Sequence, residues 1–158
     1  MRKNEAYSVE ITGLTADGAG VARVDGQVVF VPGVIPGERC KIKIDHVGRT
    51  CAYASLVWVE ESSVHRVTPE CESFGKCGGC VFWHMDYACE LEQKRRRVQD
   101  ALSRIGGVDF PDLQITGSEH TYGYRNKVQF PVQVQNGKAV AGFYKAGSHT
   151  VIPITDCK

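Results

Sequence analysis

No apolar run in this 158-residue chain approaches the roughly 18 residues that a membrane-crossing helix requires. The opening stretch MRKNEAYSVEITG also lacks the apolar stretch of a secretory signal. Net charge is nearly absent too: 19 basic residues face 18 acidic ones, a formal +1. A global attraction to polyanions is therefore excluded, and any basic surface must be local. Internal repeats and low-complexity tracts are missing, and no pair of carboxylates suggests acid–base catalysis. His46, His65, His120 and His149 form no triad with a candidate nucleophile. The glycines of DGAG, residues 17–20, precede a strand pattern rather than opening a helix, so they make a turn and not a phosphate loop. Without a secretory signal the expected location is the cytoplasm. There, seven cysteines, a high and odd number, point to metal binding or catalysis more than to disulfides.

What is present begins with short strands. Tyr7, Val9 and Ile11 alternate with polar neighbours, and Val21–Val24 and Val28–Val31 flank Asp25-Gly26, a strong hairpin signal. In RCKIKID, Cys40, Ile42 and Ile44 share one face, while Arg39, Lys41, Lys43 and Asp45 share the other. A fifth strand runs from Cys51 to Val59. Five short strands in sixty residues predict a small closed barrel, which removes exposed sheet edges. Residues 61–70 read as a linker, followed by a cysteine loop. A helix is expected from about Asp86, a plausible N-cap, to Ile105, with Gly106-Gly107 as its stop. Its apolar face would carry Tyr87, Leu91, Val98, Leu102 and Ile105, leaving Cys89 on the far side. An antiparallel meander follows: Val128–Val134, a turn at Asn136-Gly137, Lys138–Tyr144, then His149–Ile152. Pro131 places the first of these strands at an edge or bulge. The expected class is mainly β with one long helix: a five-stranded OB-like barrel over residues 1–60, then an α+β metal-binding and central region over 61–158.

Chemistry concentrates in CESFGKCGGC, residues 71–80. Thiolates ligate soft metals, and Gly75, Gly78 and Gly79 let a loop wrap tightly and aim backbone N–H groups at sulfur. Cys71, Cys77 and Cys80 supply three ligands, and Cys157, Cys89 and His84 are the candidates for a fourth. Structural zinc sites usually combine two close-spaced pairs, and no second pair exists here. Three ligands from one loop with one distant cysteine better suit a four-iron, four-sulfur cluster than zinc. A second signal is local charge. Between His120 and Thr155 stand Arg125, Lys127, Lys138 and Lys145 with no acidic residue, interleaved with Tyr122, Tyr124, Phe130, Phe143 and Tyr144. Cations neutralise phosphates and aromatic planes stack bases, so this segment is a candidate RNA surface. An ordinary solvated sheet face is the alternative.

These features, in this order, resemble the N-terminal half of the bacterial RNA uracil-5-methyltransferases, particularly the 23S rRNA enzymes. ITGLTADGAGVARVDGQVVFVPGVIPGERCKIKI resembles a TRAM domain, an OB-like RNA-binding barrel. CESFGKCGGC, then HMDYACELEQKRRRVQDALSRIGG, closed by PITDC, resembles that family's iron–sulfur motif with its distant fourth cysteine. YGYRNKVQF and GFYKAGSHTVIPI resemble its RNA-contacting segment. Val81 and Trp83 depart from the family, which commonly has glutamines beside the third cysteine. The resemblance implies a 4Fe–4S cluster on Cys71, Cys77, Cys80 and Cys157, and RNA, particularly 23S rRNA, as partner, with no membrane and no protein partner. Arg125 would contact the flipped base or its neighbours and Lys127 a phosphate. Arg23, Lys41, Lys43 and Arg49 are barrel candidates, although residues 1–60 balance seven basic against seven acidic residues. Such enzymes use a cysteine nucleophile, a carboxylate base and S-adenosylmethionine. None of the cysteines here fits the nucleophile position, so the chain by itself is expected to be inactive, with no catalytic residue and no S-adenosylmethionine site. A stand-alone RNA-binding module with a structural metal is the alternative. The radical methylthiotransferases, with a CxxxCxxC motif and a C-terminal TRAM barrel, match neither the spacing nor the order.

Overall fold

The computed structural model describes all 158 residues, Met1–Lys158. Contacts gather them into two units. The first joins Met1–Thr68 to His84–Gln114, and the second joins Pro69–Trp83 to Ile115–Lys158. The helix thus groups with the barrel, and the cysteine loop with the meander, where a single cut at residue 60 would have put helix and loop together.

The first unit contains β1 (Ala6–Glu10), β2 (Gly13–Leu14), β3 (Gly20–Val24), β4 (Gln27–Val31), β5 (Arg39–Val47) and β6 (Cys51–Glu61), in the sheet order β1-β5-β6-β4-β3-β2. The expected five strands are present, and the two-residue β2 is the addition. It continues β1 around a bend. Before the bend the chain pairs with β5, and after it with β3, so one bent segment serves both ends of the sheet and closes the barrel. At the bend, Ile11 donates to the Glu38 carbonyl at 2.9 Å and Thr12 to the Val21 carbonyl at 2.8 Å. Asp25 and Gly26, both at positive φ, make the tight β3–β4 turn.

Alternation along the strands builds the core. Val29 and Val31, Cys40, Ile42 and Ile44, and Ala52 and Ala54 all point inward and are buried, joined by Val9, Ile11, Ala22, Val24 and Val34. Each large aliphatic side chain so buried contributes about 1.5–3 kcal/mol. Burial pushes the Cys40 thiol up to about 11, so it behaves as one more small core residue.

One carboxylate breaks this apolar pattern. Glu38 is fully buried, and its oxygens accept from the Ile35 amide at 2.9 Å and from Arg66 Nη2 at 2.7 Å, with a second bond from Arg66 Nε. Arg66 Nη2 also donates to the Gly33 carbonyl at 2.9 Å. The stretch that reads as a linker is therefore pinned to the barrel. From there the backbone leads to the helix: Val67 donates to the His84 carbonyl at 3.1 Å and Asp86 to the His65 carbonyl at 2.9 Å. Asp86 caps α1 (Tyr87–Asp100), its side chain accepting from the Cys89 amide at 2.7 Å and pairing with His65 Nδ1 at 2.8 Å. The helix widens into π-type turns over Ala101–Ile105 and ends at Gly106.

Its buried face is not the expected one. Cys89 is the buried residue of α1, with Met85 buried one turn earlier, whereas Val98 is 48% and Ile105 88% exposed. Cys89 thus belongs to the packing face. The Leu91-centred stripe failed because the N-terminal anchor at Asp86 sets the helix rotation, and the later turns reach their neighbours through polar side chains, Arg97 donating to the Ala16 carbonyl at 3.1 Å.

The second unit is an antiparallel meander, β7 (Val132–Gln135), β8 (Lys138–Tyr144) and β9 (Val151–Pro153), with the cysteine loop against it. Asn136 and Gly137, both at positive φ, make the β7–β8 turn. Pro131 ends up just before the edge strand β7, its carbonyl accepting from Gly142 at 3.3 Å.

Burial raises the Glu38 carboxyl, but the Arg66 hydrogen bonds and charge, with the Ile35 and Ser63 amides, lower it by more; the net shift is below the ordinary value. A depressed folded value means that the stabilisation is complete above the unfolded glutamate value of about 4.3 and is lost as pH falls through the folded value. Arg66→Ala, which strands a buried carboxylate, should cost about 3–5 kcal/mol in urea unfolding at neutral pH. The deficit relative to the parent should shrink in acid, where Glu38 is protonated in both proteins.

Candidate metal centre and nucleic-acid interface

The cysteine loop is built from tight turns. Phe74 donates to the Cys71 carbonyl at 3.0 Å, and Lys76 and Cys77 both donate to the Ser73 carbonyl, at 3.1 and 2.8 Å. Gly75 sits at φ +79°, a left-handed position that favours glycine. The loop then docks on β8: Gly78 donates to the Tyr144 carbonyl at 2.9 Å, and Cys77 bridges to Lys145. A Cβ on Gly78 would stand 2.9 Å from the Tyr144 carbonyl oxygen and 3.1 Å from the Ala146 nitrogen, so only glycine lets the two backbones approach. On the opposite edge of β8, a Cβ on Gly142 would lie 1.9 Å from the Ile152 carbonyl oxygen. β8 is thus clasped between the loop and β9, whose continuation carries Cys157.

The four expected cysteines are reduced. Cys71 and Cys77 are half-buried, while Cys80 and Cys157 are exposed residues. The amide of Gly79 donates to Cys77 Sγ at 3.3 Å, the kind of N–H to sulfur contact that stabilises a thiolate. The Cys80 sulfur is shielded enough that burial is the largest cause of its raised thiol value. Negative charge on Cys157, Cys77 and Cys71 raises it further, and Arg125 opposes them. Folding therefore brings Cys157 into the electrostatic neighbourhood of the loop thiols, across the 77 residues that separate it from Cys80. No three His, Cys, Asp or Glu side chains converge as a single metal ion would require. Four thiols are soft donors of the kind that an iron–sulfur cluster would take.

The two other candidate ligands sit elsewhere. Cys89 is buried in the first unit, as described. His84 is buried there too, its Nε2 3.2 Å from the Val34 carbonyl oxygen.

Arg125 and Lys127 stand exposed in an irregular loop between residues 121 and 131. The Arg125 guanidinium lies 5.9 Å from the centre of the Tyr124 ring, and Tyr124 is 67% exposed. Around this loop the aromatic residues pack edge to face: Trp83 with Tyr122 at 5.5 Å and 77°, and Phe130 with Phe143 at 5.0 Å and 61°. The barrel candidates are dispersed. Arg23 on β3 donates to the Gly26 carbonyl at 3.0 Å, and Lys41 on β5 donates to Ser8 Oγ at 3.3 Å. Lys43 is exposed on β5 and Arg49 is exposed in the β5–β6 turn. Cys71, Cys77, Cys157 and Arg125 all act electrostatically on Cys80, whereas the four barrel cations are dispersed.

Residues 2–57, which make up almost all of the barrel, match the TRAM domain. The barrel is a TRAM domain. Across almost its entire length the chain is also similar to bacterial proteins named as RNA methyltransferases. An uncharacterized RNA methyltransferase of Clostridium tetani is 39% identical over 99% of this chain and 34% of its own length. Another, of Halalkalibacterium halodurans, is 40% identical over 99% of this chain and 34% of its own length. The chain spans about a third of the length of the curated relatives it matches. Among solved structures, the Pyrococcus abyssi tRNA (uracil-54, C5)-methyltransferase, in complex with S-adenosyl-L-homocysteine, shares the fold. It is 23% identical, with a TM-score of 0.61, over 94% of this chain and 32% of that one. The TRAM domain thus sits in a chain homologous to RNA methyltransferases.

Gly78→Ala should lift the cysteine loop from β8 while leaving the TRAM barrel folded. Hydrogen exchange would then accelerate at residues 71–80 and not at β3–β6. Unchanged protection of Gly78 and its neighbours would show that the loop does not depend on that close approach.

Proposed function

We propose that this chain is the N-terminal RNA-binding and iron–sulfur portion of an S-adenosylmethionine-dependent RNA uracil-5-methyltransferase that modifies 23S rRNA. The observation that carries the proposal is the thiol quartet. A glycine-rich loop presents Cys71, Cys77 and Cys80, the chain beyond β9 carries Cys157 into their electrostatic neighbourhood, and Arg125 adds a compensating positive charge. Homology to RNA methyltransferases over 99% of the chain supplies the context.

On this reading Cys71, Cys77, Cys80 and Cys157 hold a 4Fe–4S cluster. When bound, the cluster supplies four iron–sulfur bonds that lock the loop and the tail of the meander into one piece. The chain's own residues do the rest. The loop and β9 grip β8, and the segment 121–131 presents Arg125 against the target base or its neighbours, with Lys127 on a phosphate. Arg23, Lys41, Lys43 and Arg49 add weaker contacts from the barrel. Methyl transfer from S-adenosylmethionine belongs to residues outside this chain, which alone is inactive.

An anaerobic preparation should be brown and contain about four irons per chain. Cys157→Ser should abolish iron incorporation without unfolding the barrel, whereas stoichiometric zinc with no visible absorption would replace the cluster. In the full-length protein, Arg125→Ala should lower methylation more than RNA binding; equal losses would make it a phosphate contact only. Deleting the gene should remove a 5-methyluridine from 23S rRNA by nucleoside mass spectrometry. Loss from tRNA instead would move the target. No loss anywhere, with iron still bound, would leave an RNA-binding module with a structural metal site.

A further inference from the structure

The outer face of the TRAM barrel carries an aromatic row. Strand pairing sets Val21 on β3 opposite Phe30 on β4, Phe30 opposite Tyr53 on β6, and Tyr53 opposite His46 on β5. These positions alternate with the buried Val29, Val31, Ala52 and Ala54, so the row lies on the solvent side. Tyr53 is 51% exposed. Its ring centre is 5.7 Å from that of Phe30 and 6.4 Å from that of His46.

Ring orientation separates this row from the other aromatic pairs. In the second unit the ring planes cross at 61° to 77°, so an edge of one ring meets the face of its neighbour. In the barrel row the interplanar angles are only 43° and 33°. Three rings set side by side on three adjacent strands, each tilted rather than crossed against the next, form a broad shallow platform.

Charge around the row is mixed. Arg23, two residues from Val21 along β3, stands on one flank, and Lys43, opposite Ser55 and so two positions along β6 from Tyr53, stands on the other. Two carboxylates are also near: Asp45, which accepts from the Ser55 hydroxyl, and Asp17, whose charge reaches Tyr53. With cations and anions both present, electrostatics alone cannot supply much affinity, and the ring faces must.

Building on the reading of the chain as part of an RNA-modifying protein, we propose that Phe30, Tyr53 and His46 form a stacking platform for unpaired RNA bases, with Arg23 and Lys43 reaching the phosphates on either side. A duplex hides its base faces inside its own stack, so the platform selects single-stranded segments, and it does so with little regard to sequence because every base has a π-face. The platform would hold RNA flanking the modified nucleotide, a role distinct from that of Arg125.

The test is fluorescence anisotropy of the whole 158-residue chain with a labelled 12-nucleotide single-stranded RNA and with an RNA duplex of the same length. The single strand should bind tighter. Tyr53→Leu, which keeps an apolar outer-face residue, should weaken single-strand binding about tenfold, and Tyr53→Phe should hold it within about twofold. The slope of log Kd against log salt should stay unchanged in Tyr53→Leu and fall in Lys43→Ala. Phe30→Leu is the second variant, and a thermal melt of each verifies the barrel. If the parent binds RNA and neither Leu variant weakens it, the platform is overturned while the proposed function stands. Preference for the duplex overturns the platform alone. Failure of the parent to bind any RNA overturns the platform and the RNA-binding role together, leaving the iron content as the separate measure of the cluster. A dimer in light scattering that Tyr53→Leu converts to monomer, with RNA affinity unchanged, would assign the row to a second copy of the chain.

Discussion

A buried carboxylate dictates where the chain goes after it leaves the barrel. Glu38 has no access to water, and an ion in such a place must be met by a cation and by donors. Arg66 meets it, 28 residues later, and in doing so also reaches the Gly33 carbonyl. Once Arg66 is held, His65 and Val67 are held with it, and they set the backbone bonds to Asp86 and His84 that begin the helix. The rotation of α1, and hence the burial of Met85 and Cys89, follows from that anchor. Apolar residues at both positions could pack the barrel as well, but they would not dictate this one path for the chain.

The second unit depends on close backbone approach instead. Gly78 and Gly142 let β8 be gripped on both sides, by the loop that carries three cysteines and by the strand that leads to the fourth. Thiols separated by 77 residues come into one electrostatic neighbourhood through this clasp, without any contribution from apolar burial on the scale of the barrel. Only Val151 in this unit is buried as a hydrophobe, while Val132 and Val134 remain 68% and 72% exposed. A unit with so small a core gains most from a covalent or metal cross-link.

Under the proposed RNA-binding role, two kinds of surface chemistry are separable. The segment around Arg125 combines a guanidinium with an exposed tyrosine beside the thiols, and suits recognition at a defined nucleotide. The barrel balances its charges and sets three rings nearly side by side, and suits a strand held without sequence preference. The relatives are named as RNA methyltransferases, and RNA is the partner proposed for both surfaces.

Much of this was legible from local pattern. Alternation in RCKIKID set which side of β5 is buried, Asp25-Gly26 and Asn136-Gly137 marked their turns, and Asp86 marked the helix start. Loop spacing singled out the cysteines. These signals are local: side-chain period, turn dihedrals and capping act over a few residues. What escaped depends on partners far apart in sequence. Nothing near Glu38 announces Arg66, and the helical stripe through Leu91 looked more apolar than the face that Cys89 shares with Met85. The aromatic row is invisible in one dimension because Phe30, Tyr53 and His46 lie on three strands and become neighbours only through register. The sequence by itself determined the elements and the chemistry available to them. The tertiary structure decided which groups meet, because pairing register, a buried charge and glycine contacts act between segments rather than within them.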